Sequence, residues 1–311
     1  MPVHQGHIAL INFAVGQCDE LIVSMSFTTN DPIPSDVRLE WLKEIFKHQP
    51  KIKPAKVKDD FDNDTLPLEE RTKIWSDFIR ATYPPVQLIF SSEEYGAPFA
   101  KHLNAKHIPF DYDRTKYPVS ATRIRENPFK YWDFIPAAAR PYFVKKICFY
   151  GPASTGKSTL AKTMAEVYHT EFVPEVAREL IVSNDFTVND IIKIGYAQLE
   201  RIDEKTQKAN KLLFCDTDTI TTEIYSRYYL GVIPEILFEL EQKVCYDIYF
   251  LMDIDVDWVA DGLRDLGDQR EKMLSIFKEE LTKRRIPYIL VRGTHAERET
   301  FVRGIIDQLL R

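Results

Sequence analysis

The sequence 146-KICFYGPASTGKST-159 lies near the centre of the 311-residue chain, and the interpretation of both halves depends on it. A short apolar run ends at Gly151, where the spacing G-x-x-x-x-G-K-S begins, and apolar residues then recur at helical intervals. A strand, a glycine-rich turn and a helix form the setting in which this motif binds phosphate. An ordinary strand–turn–helix corner is the alternative, but every fixed position of the motif is matched. The pattern predicts that the second half of the chain binds a nucleoside triphosphate.

The residue types of this turn fit the chemistry of a triphosphate. Glycine lets the backbone wrap closely enough for its N–H groups to point at phosphate oxygens, and the following helix adds the positive end of its dipole. Lys157 can neutralise the β- and γ-phosphates, and the Ser158 hydroxyl can be a ligand of Mg²⁺. We predict that Lys157 is catalytic and that ATP is bound by these further residues: Gly151, Ser154, Thr155, Gly156, Ser158 and Thr159.

Composition limits the class of protein. Apolar residues make up 44% and charged residues 28%, which is ordinary for a soluble globular protein, and the net charge of −6 argues against a broad nucleic-acid surface. No apolar run approaches the ~18–20 residues of a membrane span, and none resembles a signal peptide. The four cysteines are scattered, and Cys148 and Cys215 lie in apolar runs. We therefore predict buried thiols, no zinc site and a cytoplasmic location.

The N-terminal segment contains His4-Gln5-Gly6-His7, followed by a helical pattern. H-x-G-H at the start of a helix places two imidazoles near the helix N-terminus, and Gly6 permits close approach of a phosphate. This arrangement suits nucleotidyl transfer, in which one phosphate attacks another and the protein supplies positioning and charge stabilisation. A metal site or two surface histidines are the alternatives.

Strand and helix patterns alternate through the first half of the chain. Strands are predicted at 20–27, 87–92 and 108–110, with helices at 34–46 and 68–82. Residues 51–67 are polar and are predicted to be irregular. Alternating strands and helices predict a parallel, doubly wound α/β sheet.

A second phosphate-binding pattern lies at residues 118–125, which read PVSATRIR. A serine and a threonine open a predicted helix, and Arg125 follows one turn after Thr122. The hydroxyls and free N–H groups can hold phosphate, and an arginine can bind it as a fork. A capped surface helix is the alternative and, by itself, the better interpretation.

The combination of H-x-G-H with S-x-T-x-x-R in an α/β pattern resembles the nucleotidyltransferase superfamily. With the phosphate-binding turn that follows, the whole chain resembles the bifunctional nicotinamide-nucleotide adenylyltransferase / ribosylnicotinamide kinase family (NadR-type). The resemblance implies an adenylyltransferase domain at 1–143 and a P-loop kinase domain at 144–311. It also implies ATP phosphates held at the first site by these residues: His4, Gly6, His7, Ser120, Thr122 and Arg125.

Members of this family that repress transcription carry an additional N-terminal helix-turn-helix. The chain has no room for one before His4. We therefore expect no binding to DNA.

Acidic residues follow two predicted strands of the second half, 170–173 and 212–215; two further strands are predicted at 247–252 and 288–291. Ligands gather at the carboxyl ends of the strands in such sheets. Asp216 is predicted to bind Mg²⁺ or act as the base. Glu175, Arg178 and Asp218 are predicted to hold substrate hydroxyls or the cationic nicotinamide riboside. Capping of the next helix is the alternative for Asp218.

The segment 257–270, after the fourth strand, contains two glycines and the arginines Arg264 and Arg270. A lid that closes over ATP and brings arginines to the transferring phosphoryl group has this composition, and the family resemblance supports it. A solvated surface loop is the alternative. Trp258 is predicted either to stack on a pyridine or adenine ring or to pack in the core.

Together these patterns predict two doubly wound parallel-sheet domains, a Rossmann-like H-x-G-H nucleotidyltransferase and a P-loop kinase. The kinase would phosphorylate ribosylnicotinamide with Mg·ATP, and the first domain would adenylylate nicotinamide mononucleotide to NAD. One alternative is another nucleoside kinase fused to a different nucleotidyltransferase, such as one acting on pantetheine phosphate. The other is a nucleotide-sensing module that regulates the kinase. No membrane partner is expected, and a homo-oligomer is left open.

The segment before His4 generates one testable prediction. In a doubly wound sheet the strand leading into the phosphate-binding turn is central, and only three residues precede His4. Without that strand the facing edges of its two neighbours lack ladder partners, and buried unpaired N–H and C=O groups cost about 1–3 kcal/mol each. We predict that the reading frame extends upstream by roughly ten residues or more, enough for a strand and its turn.

That upstream segment should be rich in Val, Ile, Leu and Phe and should end in glycine plus a basic residue. The upstream DNA and the adenylyltransferase rates of the 311-residue and extended forms test the idea. An in-frame stop directly before Met1, together with full activity of the 311-residue form, would refute it.

Overall fold

The computed structural model describes residues 2–60, 65–181, 183, 185–259 and 266–311. The chain divides into two compact units, residues 1–140 and 141–311. Within the described ranges, no helix is both long enough and apolar enough to cross a lipid bilayer.

The first unit alternates helices and strands. Its elements, in chain order, are α1 (Gln5–Val15), β1 (Leu21–Phe27), α2 (Ser35–Ile45), β2 (Ile52–Lys58), α3 (Leu68–Thr82), β3 (Leu88–Ser91), α4 (Gly96–Leu103), β4 (Lys106–Pro109), α5 (Ala121–Glu126) and a 3₁₀ turn (Trp132–Phe134). The short helix α6 (Arg140–Phe143) includes the last residue of this unit and the first three of the second.

Strand β2 corrects the prediction that residues 51–67 are irregular. It pairs with β1 in parallel along its whole length, from Leu21 opposite Ile52 to Phe27 opposite Lys58. Ile52 and Val57 are buried, whereas the three lysines of the strand are exposed. Lysine and proline are typical of a strand at a sheet edge, so the polar composition concealed the strand.

The parallel strands of this unit form two separate pairs, β1 with β2 and β3 with β4. Among the described residues, no strand joins β1 to β3. A cavity of about 860 Å³ is lined by residues of both strands and by one face of α3. The predicted upstream extension stays a prediction.

The second unit is a larger α/β structure. Its elements are β5 (Lys145–Tyr150), α7 (Lys157–Val167), β6 (Glu171–Val173), α8 (Ala177–Leu180), α9 (Val188–Lys208), β7 (Leu212–Asp216), α10 (Thr219–Leu230), α11 (Glu235–Glu241), β8 (Ile248–Met252), a 3₁₀ turn (Gly267–Gln269), α12 (Arg270–Lys283), β9 (Ile289–Val291) and α13 (His295–Leu309).

The five parallel strands of the second unit lie in the order β6-β7-β5-β8-β9. Side chains of the central strand alternate between two cores: Ile147 and Phe149 pack in the cluster with α7 and α13, and Cys148 and Tyr150 in the cluster with α10 and α12. Burial on both faces explains why the strand is a continuous apolar run. The predicted parallel, doubly wound sheet is confirmed for this unit.

Two local features of the second unit follow directly from its sequence. The Thr187 hydroxyl accepts from the backbone N–H of Asp190, and the Asp190 carboxylate accepts from the backbone N–H of Thr187, which is a capping box at the start of α9. The predicted buried thiols, Cys148 and Cys215, are fully buried.

Candidate functional site

The glycine-rich turn follows the central strand β5 and ends where α7 begins. Gly151 and Gly156 have φ values of 138° and 84°, in the region that favours glycine. A Cβ atom on Gly151 would lie 3.0 Å from the carbonyl oxygen of Met252, so a side chain there would also be crowded by the backbone of β8. No side chain caps the first turn of α7 within the described structure. Its N–H groups can therefore serve an anion.

Three predicted side chains of the turn have different surroundings. The buried Lys157 ammonium donates to the carbonyl of Pro152 at 2.7 Å, and the Thr155 hydroxyl donates to the same carbonyl at 2.9 Å. The Ser154 hydroxyl accepts from the backbone N–H of Val259 at 2.8 Å. The Thr155 hydroxyl thus stabilises the phosphate-binding turn, and the Ser154 hydroxyl connects the turn to the loop after β8. That Ser154 and Thr155 bind ATP stays a prediction, with their backbone N–H groups as the donors.

Asp216, the last residue of β7, is 1% exposed, and its Oδ1 atom has no hydrogen-bond partner among the described residues. Burial is the main cause that raises the pKa of its carboxyl to about 6; the nearby Glu175 carboxylate adds to the shift, while Lys157 and a hydrogen bond with Ser158 oppose it. A buried carboxylate oxygen without a partner and an adjacent hydroxyl are the hard oxygen donors that Mg²⁺ prefers. These two residues fit a magnesium site.

Glu175 and Arg178 lie beside Asp216, after strand β6. The Arg178 Nε donates to the Glu175 carboxylate at 2.9 Å, and both side chains line the same cavity as Lys157. The structure therefore brings together the predicted lysine, two carboxylates and an arginine at the carboxyl edge of the sheet.

Asp218 is not placed to hold a substrate, which corrects the prediction. Its carboxylate accepts from the backbone N–H and the hydroxyl of Thr221, both at 2.9 Å, and from the Tyr249 hydroxyl at 3.0 Å. The side chain is buried and caps α10. The capping alternative is the one that the structure supports, because the carboxylate is turned into the protein.

Arg270 and Trp258 lie at the edge of the predicted lid, and Arg264 lies outside the described residues. The Arg270 guanidinium donates to the carbonyls of Val256 at 2.7 Å and Ser154 at 3.4 Å, and it sits 5.7 Å from the centroid of the Trp258 ring. Arg270 thus connects the loop after β8 to the phosphate-binding turn. Trp258 lines the cavity, which favours the stacking interpretation over core packing.

The cavity beside the phosphate-binding turn has an aromatic wall. Tyr225 and Tyr229 are stacked with their ring centroids 6.3 Å apart, and Phe186 meets Tyr229 edge-on at 5.5 Å. The cavity extends from these rings to the charged residues at the turn. Its lining includes Ala153, Lys157, Glu175, Arg178, Phe186, Tyr225, Tyr229 and Trp258.

In the first unit, His4 and His7 stack at the start of α1 with their ring centroids 3.8 Å apart. Burial lowers the pKa of His4 to about 3 and that of His7 to about 4, and nearby positive charge adds to both shifts. A Cβ atom on Gly6 would lie 3.1 Å from the His4 ring and 3.4 Å from the Cβ of Tyr117. Glycine at this position therefore makes room for the imidazole and for the segment that leads to α5.

The predicted phosphate-binding residues at α5 contact one another. Ser120 caps the helix, its hydroxyl accepting from the backbone N–H of Arg123 at 3.3 Å, and Arg125 donates to the Thr122 hydroxyl at 3.2 Å. The helix cap agrees with the surface-helix alternative. Tyr117, which precedes this cap, lies against Gly6, so the two predicted motifs are neighbours in the fold.

Arg298, on α13, is a site residue that the sequence did not reveal. It is 2% exposed, and its guanidinium donates to the carbonyl of Thr155 in the phosphate-binding turn at 2.6 Å. It also donates to the carbonyls of Gly293 and Asp253 and forms an ion pair with Asp255. A lone arginine in a C-terminal helix carries no local signal of such a role.

The second unit has the features of a P-loop nucleotide-binding protein. A G-x-x-x-x-G-K-S turn follows the central strand of its parallel sheet, and a buried aspartate ends β7, the neighbouring strand in the sheet.

A family model described as an AAA domain matches residues 146–298. The chain is 32% identical over 319 residues to the trifunctional NAD biosynthesis/regulator protein NadR of Salmonella typhimurium (strain LT2), covering 94% of this chain and 76% of the relative. The NadR of Escherichia coli (strain K12) is 32% identical, covering 93% and 76%. The chain belongs to the NadR family.

Two solved structures have the same fold across almost the whole chain. The crystal structure of NadR protein in complex with NR is 21% identical, with a TM-score of 0.77, over 94% of this chain and 87% of that one. The structure of NadR protein in complex with NAD and AMP-PNP is 20% identical, with a TM-score of 0.80, over 100% of this chain and 94% of that one.

The environment of Asp216 predicts a stabilising substitution. Because the raised pKa means that the folded state binds this proton more tightly than the unfolded chain, the free energy of unfolding falls as the pH rises through the range from about 4 to about 6. Asp216→Asn should therefore raise the free energy of unfolding of the ligand-free protein by about 1–3 kcal/mol at pH 7. The gain should shrink towards pH 4. Urea denaturation at both pH values measures it.

Asp190→Asn is the matched control and should act in the opposite direction. Its hydrogen bond with the Thr187 hydroxyl is the main cause that lowers the pKa of Asp190 to about 2, so its ionised form stabilises the fold above the usual carboxyl pKa. An Asp216→Asn protein less stable than the native one at pH 7 would contradict the prediction.

Proposed function

We propose that this chain is an enzyme of NAD biosynthesis with two activities. The predicted kinase domain, residues 144–311, phosphorylates the 5′-hydroxyl of ribosylnicotinamide with ATP. The predicted adenylyltransferase domain, residues 1–143, transfers AMP from a second ATP to the product, giving NAD and pyrophosphate. The observation that carries the proposal is a cavity lined by both the P-loop lysine, Lys157, and an aromatic wall. Membership of the NadR family supports the choice of substrate.

In the kinase step the nucleoside base lies among the aromatic rings and its 5′-hydroxyl faces the phosphate-binding turn. The hydroxyl oxygen attacks the γ-phosphorus, the bond to the β–γ bridging oxygen breaks, and ADP leaves. Glu175 accepts the hydrogen bond of the attacking hydroxyl and then its proton. Lys157 and Arg270 stabilise negative charge on the transferring phosphoryl group.

Asp216 and Ser158 would hold Mg²⁺, which neutralises charge on the β- and γ-phosphates when it is bound. Burial and then the nearby Glu175 carboxylate raise the pKa of Asp216, and a bound cation would stabilise its ionised form. The proposal assigns no other residue to the metal.

In the adenylyl step a phosphate oxygen of nicotinamide mononucleotide attacks the α-phosphorus of ATP, and pyrophosphate leaves. No protein nucleophile is required, so His4 and His7 act by donating hydrogen bonds to the phosphates. Both imidazoles are neutral in the ligand-free protein because their pKa values are low. Bound phosphates raise those pKa values and favour the protonated, charge-stabilising form. Ser120, Thr122 and Arg125 complete this proposed triphosphate site.

The direct test is a mass analysis of the products formed from ribosylnicotinamide, ATP and Mg²⁺. Nicotinamide mononucleotide should appear first, followed by NAD. The absence of both products, with folded protein and a range of ribosides, would refute the proposal.

The two activities should separate by mutation. Lys157→Ala should lower the kinase rate by on the order of 10²-fold, because it removes a charge that stabilises the transferring phosphoryl group. It should leave adenylyl transfer to supplied nicotinamide mononucleotide nearly unchanged, and His7→Ala should do the reverse. Lys193→Ala, at an exposed lysine of the second unit, is the control for Lys157→Ala. His48→Ala, at an exposed histidine of the first unit, is the control for His7→Ala. Loss of both activities in a folded Lys157→Ala protein would refute a two-site enzyme.

Arg270→Ala should lower the kinase kcat more than it weakens nucleoside binding. The reason is that its partner is charge that develops during transfer, which affects the transition state more than the ground state. Steady-state kinetics together with calorimetric binding of the nucleoside separate the two effects. Arg285→Ala, at an exposed arginine, is the control. An unchanged kcat would show that Arg270 has only a structural role. That Arg264 also stabilises the transferring phosphoryl group stays a prediction.

A further inference from the structure

Gln198 is a buried polar residue in the cavity that none of the steps above uses. It lies on α9, is 3% exposed and lines the cavity together with Lys157 and Glu175. Its Oε1 accepts from the backbone N–H of Val176 at 3.1 Å. Its Nε2 has no hydrogen-bond partner among the described residues.

The orientation of this side-chain amide is fixed by its backbone partner. A main-chain N–H can only donate, so the oxygen of the Gln198 amide must face Val176 and the NH₂ group must face away from it. A flipped amide would place two donors against each other. Gln198 therefore presents only hydrogen-bond donors at the cavity.

A buried NH₂ group without an acceptor is costly, and buried polar groups in native proteins nearly always have a partner. The cost is accounted for if a ligand provides the acceptor. The same face of α9 carries Ile191 and Ile194, two turns and one turn before Gln198, and both line the cavity. The donor thus lies next to an apolar surface that suits a ring, with the charged residues elsewhere in the lining.

We infer that Gln198 recognises the carbonyl oxygen of the carboxamide on the pyridine base of the nucleoside. This inference rests on the proposed kinase function and names a specificity residue of that site. The ring nitrogen of a ribosylated pyridine bears the glycosidic bond and has no lone pair, so the carboxamide oxygen is the acceptor that the base offers. An acceptor-only group matches an amide that offers only donors. A riboside without this carbonyl leaves the Gln198 NH₂ group buried and unpaired.

The experiment compares three ribosides as kinase substrates of the full chain. Ribosylnicotinamide has the carboxamide, 3-acetylpyridine riboside keeps the carbonyl but lacks the amide nitrogen, and pyridine riboside lacks both. The native protein should use the first two with similar kcat/KM and pyridine riboside roughly tenfold less well, which is the usual effect of one hydrogen bond to a buried donor. The difference should lie mainly in KM.

Two variants locate this preference at Gln198. Gln198→Leu removes the NH₂ donor. Gln198→Glu also removes the NH₂ donor but keeps an oxygen that accepts from the Val176 N–H, so this variant serves as the test if the leucine variant does not fold. In both, kcat/KM should fall about tenfold for the two carbonyl-bearing ribosides and stay nearly unchanged for pyridine riboside. Gln207→Leu, at an exposed glutamine of the same helix, should keep the native preference.

The outcomes are distinguishable. Loss of the preference in the folded Gln198 variants supports the inference. An equal loss for all three ribosides, or a native protein that uses ribosylnicotinamide and pyridine riboside equally, overturns it while leaving the proposed kinase intact. Phosphorylation of none of the ribosides by the native protein would overturn the proposed function and this inference together.

Discussion

The guanidinium of Arg298 is the interaction on which the phosphate-binding turn depends. It donates to carbonyl groups of Thr155, Asp253 and Gly293, which lie after strands β5, β8 and β9. One buried cation, balanced by Asp255, therefore fixes three loops at the same edge of the sheet. Backbone N–H groups stabilise a phosphate most when they are oriented before it arrives. Moving any of these loops would deprive a buried charge of its acceptors, which is strongly unfavourable.

The carboxylates at this edge are arranged for ligand binding at the expense of stability. Burial disfavours the ionisation of Asp216, and the nearby Glu175 carboxylate adds to the effect. Lys157 and Arg178 compensate for only part of this, because the pKa of Asp216 stays raised. The amide nitrogen of Gln198 is likewise buried at the cavity without a hydrogen-bond partner among the described residues, which is also unfavourable for stability. Such unfavourable environments concentrate at functional sites, where a ligand supplies the missing partner.

Sequence patterns predicted the features that have local causes, and they missed those set by distant contacts. The phosphate-binding turn and the buried central strand follow from residues close together in the chain. The role of Arg298 depends on Thr155, 143 positions away, and only the assembled sheet brings these two residues together. The edge strand β2 was missed because its lysines mask the apolar residues that face inward.

Trp258 gives the second unit an optical property. The chain has four tryptophans, and the other three, at positions 41, 75 and 132, belong to the first unit. The indole of Trp258 lines the cavity, and a guanidinium lies over its ring. Ultraviolet emission from residues 141–311 therefore comes mainly from one fluorophore, placed at the wall of the cavity. The molecule carries its own spectroscopic probe of what enters that space.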